Sequence, residues 1–167
     1  PVEPVEPVEP VEPVEPAASS GNGTGLLARY YDDMYFAEPV TTRIEKKINQ
    51  SMSQRQAQQR GLTDNTTFSV QWLGYLVPSD SGPTTLWTES DDGVRVYVDG
   101  DLVIDNWTDH ARTRDEVTIE LTKGKPVAIA VQYYQAYGES IMKLGWKRPG
   151  RQDRVIQRRF LYPDYPG

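Results

Sequence analysis

From residue 26 onward the chain is divided into short runs rich in β-branched and aromatic residues, such as LLARYY, FSVQWLGYL, TTLWTES, VRVYV, VTIEL and VAIAVQYY. Apolar side chains recur at every second position in Phe68, Val70 and Trp72, and again in Val117, Ile119 and Leu121. That is the spacing of a strand with one buried face. Asp99 and Gly100 fall between VRVYV and LVID, and Asp-Gly supplies the two positive φ angles that a type I′ hairpin needs. Lys123-Gly124 and the stretch from Pro78 to Pro83 punctuate other runs. Many short strands with no long helical period among them predict an all-β sandwich or barrel. Residues 45–60, EKKINQSMSQRQAQQR, resist this pattern. Polar, Gln-rich and free of Pro and Gly, they fit either a short exposed helix or a mobile loop.

The 167 residues suffice for one domain with a core plus a tail. Residues 1–16 repeat Pro-Val-Glu. Proline at every third position forbids helix and ladder bonding, so the repeat predicts an extended Pro-rich N-terminal tail in polyproline II form, reaching roughly 50 Å at ~3.1 Å per residue. A ligand for a proline-binding domain is the other reading of this segment. Residues 17–25, AASSGNGTG, complete the tail as a flexible joint, which leaves 26–167 as the folded domain. The mean hydropathy of −0.63 suits a polar tail diluting an ordinary domain. The net charge of −6 argues against nucleic-acid partners and offers no polybasic membrane patch. Cysteine is absent, which removes disulfides, thiolate zinc sites and thiol catalysis together. No apolar run approaches the ~18 residues of a membrane span, so membrane insertion is not expected. The chain opens inside a repeat, as a fragment of a longer tethered protein would.

Few residues suggest catalysis. His110 is the single histidine and reads as a capping or packing residue of its loop. Some pair among 24 acidic residues will always satisfy the ~5–10 Å separation of glycosidase carboxylates, but no enclosed pair is marked out. The chain is therefore read as no enzyme. Three Asn-x-Thr triplets, at Asn22, Asn65 and Asn106, are treated as chance matches in polar loops.

Asp91 and Asp92 pose the sharper question, since they stand side by side between two strand-like runs. They make either a polar turn closed by Gly93 or a pair of hard oxygen donors for a cation. In extended chain, neighbouring side chains point to opposite faces, so chelation by both demands an unusual backbone.

GLLARYY, FSVQWLGYLVP, TESDDGVRVYVDGDLVIDNW and KGKPVAIAVQYYQAYGESIMKLGW, with RRFLYP closing the chain, resemble the PA14 domain family in order and spacing across residues 26–149. The resemblance implies a PA14-like β-sandwich or barrel. In lectin-type members two such aspartates are joined by a cis peptide bond and bind a Ca2+ that in turn holds sugar hydroxyls. Carried over, the metal residues are Asp91, Asp92, Gln135 through its side-chain oxygen and Tyr137 through its carbonyl, with Gly138 and Glu139 completing the sugar site. The implied function is a calcium-dependent carbohydrate-binding module of adhesin or lectin type, extracellular or on the cell surface, with a glycan or small saccharide as partner. Two alternatives stay open: a structural or protein-interaction module without sugar binding, and an accessory domain of a glycosidase. The Ser-Asp-Asp-Gly element marks the family better than it marks lectin activity. NQSMSQRQAQQR stands where relatives carry an aromatic strand and a Gly/Pro loop.

Overall fold

A computed structural model describes residues 23–167; the Pro-Val-Glu repeat, and with it the expected spacer, lies outside the described residues. The strand-like runs become twelve strands, all antiparallel where they pair, in two sheets. The first sheet has the order β2 (Pro39–Glu45), β1 (Leu26–Tyr31), β4 (Phe68–Leu76), β9 (Val127–Gln135), β6 (Val94–Val98), β7 (Asp101–Asn106), with β12 (Leu161–Tyr162) also on β4. The second has the order β11 (Arg154–Val155), β10 (Ile141–Lys147), β5 (Gly82–Asp91), β8 (Thr113–Leu121), with β3 (Asn49–Ser51) also on β10.

Alternation explains the faces. In β8 the even-spaced Val117, Ile119 and Leu121 turn toward the core while Arg114, Glu116, Thr118 and Glu120 face out. β4 and β9 lie inside the larger sheet and pair from Phe68 opposite Gln135 to Leu76 opposite Val127. Between the sheets Trp72, Trp146, Tyr30, Tyr133 and Phe68 are fully buried. Close packing of these large rings with the aliphatic side chains around them forms the core. Asp99 and Gly100 have φ of 48° and 84° and join β6 to β7 as the sequence predicts.

The ambiguous residues 45–60 hold the short helix that was one of the two expectations, α1 (Gln54–Gln59, six residues), preceded by a short strand, β3, that neither expectation included. Ser53 and Gln56 form a reciprocal capping box at its start, and Ala57 is its buried residue. The assigned joint also ends sooner than the sequence suggests. The Gly23 amide donates to the Arg159 carbonyl (3.1 Å) and the Gly25 amide to the Leu161 carbonyl (3.0 Å). This start of β1 and the late strand β12 therefore meet along one edge of β4.

Strand direction then fixes two ends. β4 begins opposite the end of β9, while β12 and the start of β1 lie toward its other end. Residues 23–25 and β12 thus lie about 30 Å from the start of β4, nine residues at ~3.4 Å each.

Candidate functional site

Three connections cross from one sheet to the other at the end where β4 begins. Residues 92–93 join β5 to β6, residues 107–112 join β7 to β8, and residues 136–140 join β9 to β10. Asp91 lies opposite Ile141, Ser90 opposite both Met142 and Thr113, and Val94 opposite Tyr133. All three crossings are therefore neighbours.

The peptide bond between Asp91 and Asp92 is cis, and both residues line one open pocket of about 300 Å³ together with Asp109, His110, Ala111, Tyr137, Gly138 and Glu139. Asp92 is almost fully buried, and its two oxygens divide their work. Oδ1 accepts the His110 amide (3.1 Å) and Oδ2 accepts the Ala136 amide (2.9 Å). One carboxylate thereby ties the other two crossings to its own. Burial pushes the Asp91 carboxyl above the usual carboxylate range, and the adjacent Asp92 charge pushes the same way.

The floor is built by β9. Tyr133 donates its hydroxyl to the Asp91 carbonyl (2.6 Å), and burial raises its phenol well above the ordinary value, so it remains a donor. The Tyr134 hydroxyl donates to Asp109 Oδ1 (2.7 Å). Gly93 has no side chain because a Cβ there would lie 2.1 Å from the Tyr134 ring. A smaller pocket of about 210 Å³ adjoins through Asp109 and is lined also by Met34, Tyr35, Trp107 and Tyr134. Phe36 stacks near Trp107 at 5.9 Å, and the Arg95 guanidinium lies 4.5 Å from the same indole.

Of the six residues singled out from sequence, Asp91, Asp92, Tyr137, Gly138 and Glu139 line the pocket. Gln135 does not. It is fully buried, its Nε2 donates to the Gly138 carbonyl (3.0 Å), and its Oε1 faces the Tyr133 hydroxyl at 3.3 Å. Its observed part is to shape residues 136–140 from beneath. The sequence does not single out Asp109, and it gives His110 a capping or packing role in its loop. The TDH triplet before a strand was their one signal, and only the fold brings its main chain to Asp92.

As a donor set the wall offers two adjacent carboxylates and further oxygens, which suits a hard divalent cation rather than zinc. Among the described residues no group of three or more His, Cys, Asp or Glu is arranged to hold a metal. A cation here would take two carboxylates from the protein and the rest of its shell from carbonyls, water or ligand.

The chain belongs to the PA14 domain family, whose model matches residues 22–159. It is 35% identical over 144 residues to Anti-sigma-I factor RsgI3 of Acetivibrio thermocellus, a match covering 86% of this chain and 22% of that protein. It is similar to a solved anti-sigma factor domain-containing protein at 34% identity and a TM-score of 0.79, covering 84% of this chain and 48% of that one. A PA14 sugar-binding domain from an RTX adhesin superposes with a TM-score of 0.71 at 16% identity, covering 84% of this chain and 99% of that domain; at that identity the likeness shows the fold alone.

These relatives correct the functional expectation. The reading as an adhesin- or lectin-type module is overturned by the anti-sigma factor proteins, which share twice the sequence identity that the adhesin domain does. The physical reason is that the Asp-Asp-Gly crossing and the strand pattern specify the fold and its end loops. The use made of the domain by its parent protein is written elsewhere. This chain spans about a fifth of the first relative and about half of the second.

Proposed function

We propose that this domain is the ligand-sensing module of an anti-sigma factor, held outside the cell as part of a longer chain. The observation that carries the reading is the 35% identity to an anti-sigma-I factor across 86% of the chain. Topology supports it. The pocket lies at the end of the sandwich away from residues 23–25 and β12, as suits a receptor projected from a tether. In this reading the stimulus binds at Asp91 and Asp92. A saccharide is the ligand class that suits the pocket, since it is small and open and sets the carboxylates of Asp91, Asp92, Asp109 and Glu139 beside the ring of Tyr137, hydrogen-bonding groups next to apolar surface. Asp91 and Asp92 would hold a Ca2+, with the Tyr137 carbonyl at the rim. When bound, such an ion supplies coordination positions for vicinal hydroxyls. Tyr133, Asp92 and Gln135 keep the three crossings in register, and exposed Tyr137 and Glu139 flank the ligand.

The test is calorimetric titration of Ca2+ into the chelator-stripped chain, followed by soluble plant-type and bacterial polysaccharides with and without the ion. Saturable binding that disappears in Asp91→Ala, with the melting temperature of that variant in chelator nearly unchanged, is the expected result. Absence of any saccharide binding under either condition would sink the sensing assignment for this pocket.

A further inference from the structure

The end of the sandwich away from the pocket carries a charge pattern that the net charge of −6 conceals. Residues 148–159 contain Arg148, Arg151, Arg154, Arg158 and Arg159 against a single acid, Asp153. Asp153 is already engaged by Arg114 and the Trp87 indole N–H. Arg148 is only 5% exposed, with its guanidinium 5.0 Å from the Trp146 ring and 5.2 Å from Phe160. Asp80 is the carboxylate near it, at 3.6 Å, and is shared with Arg151 at 3.0 Å. Burial, together with the charges of Arg151, Arg154 and Arg159, pulls the Arg148 pKa down, which reports a crowded positive surface. Arg154, Arg158 and Arg159 are exposed and make no ion pair among the described residues.

The chain enters the domain against this surface. The Gly23 amide is bonded to the Arg159 carbonyl, and a Cβ on Gly23 would lie 2.4 Å from the Arg158 carbonyl oxygen. Upstream the sequence carries Glu3, Glu6, Glu9, Glu12 and Glu15 and no lysine or arginine. Glu15 precedes Gly23 by eight residues (23 − 15), at most about 29 Å of chain, and each earlier glutamate adds about 10 Å. We propose that the Pro-Val-Glu repeat is the occupant of this basic surface, its glutamates pairing with Arg154, Arg158 and Arg159 of the same chain. Covalent attachment gives the glutamates an effective concentration of about millimolar order, an advantage no free polyanion has. Guanidinium groups suit carboxylates because they can pair with both oxygens. The contact is exposed and therefore salt-sensitive: charges interact over about 30 Å at 0.01 M salt and about 10 Å at 0.1 M.

The absence of cysteine gives Val11→Cys one attachment point for a nitroxide spin label on the full chain. At about 10 mM salt the amide signals of Arg154, Arg158 and Arg159 are expected to lose about half their intensity or more to the label. They should recover at high salt and stay at full intensity when the five glutamates are changed to glutamine. That variant alters no residue of the folded domain, so it decides the matter even if R154E/R158E/R159E misfolds. Broadening that ignores salt, or that survives in the glutamine variant, overturns the pairing. So does a wild type whose arginine signals respond to added polyphosphate as strongly as those of the glutamine variant, because the surface would then be open.

Discussion

Asp91 and Asp92 are adjacent in sequence and unequal in structure. Asp92 accepts two main-chain amides from two different crossings, whereas Asp91 contributes its carbonyl to Tyr133 and leaves its carboxylate to the pocket. Asp92→Ala strands two amides in a nearly buried place and is expected to cost about 2–3 kcal/mol, with Asp91→Ala costing under about 1 kcal/mol. Urea unfolding of both variants in chelator checks the contrast, and equal losses would refute the division of roles. A second carboxylate gives a pH prediction. The Ser79 hydroxyl, joined by Arg151, holds Asp80 below the ordinary carboxylate range against the opposing effect of burial. A lowered folded pKa means that its stabilisation is complete above the unfolded value near 3.8 and is lost as pH falls through the lower folded value. Asp80→Asn also leaves buried Arg148 without its carboxylate. The expected loss at neutral pH is about 1–2 kcal/mol, discounted because Asp80 is partly exposed. The gap from wild type should close below about pH 3.8 in acid titrations followed by circular dichroism.

Among the elements, those with period-2 alternation were legible. β4 and β8 follow directly from Phe68, Val70, Trp72 and from Val117, Ile119, Leu121, and the β6–β7 turn from Asp99 and Gly100. Residues 45–60 were not legible because neither of their structures carries a strong local period. β3 is three residues held by β10, and α1 is one and a half turns that bury a single alanine. Such a helix is too short to persist on propensity, so its cap matters more than its composition. Ser53→Ala removes the side-chain acceptor of the Gln56 amide and is expected to cost about 1 kcal/mol locally. Hydrogen exchange should show faster exchange at the Ala57 and Arg60 amides with little change in the melting temperature. An unchanged exchange rate at both would show that packing of Ala57, not the cap, holds the helix.

For the whole molecule, the sequence disclosed the paired aspartates and the family but not the assembly of the site. Local pattern cannot say that residues 107–112 and 136–140 arrive beside residue 92, because strand order decides it. It equally could not separate an anti-sigma factor domain from an adhesin domain, since both are built on this fold. In the proposed sensing role, the arrangement constrains how binding at one end could reach the other. The pocket and the entry at residues 23–25 are separated by the length of β4, which is paired along one side to β9 over all nine residues. That continuous pairing and the close packing of the core favour movement of the two ends as one body. Ligand should therefore stabilise the domain as a unit, by about 2.7 kcal/mol at a hundredfold excess over Kd, without rearranging its far end. The expected exchange pattern on ligand binding is slowed amides at His110 and Ala136, which are bonded to Asp92. Gly25 and Val77, bonded to Leu161 and Phe160, should keep their relative rates once the global gain is subtracted. In the proposed sensing role, a signal would then not rest on a change of shape passed down the strands. A selective change at Gly25 and Val77 would reverse that conclusion and place a conformational switch inside the sandwich.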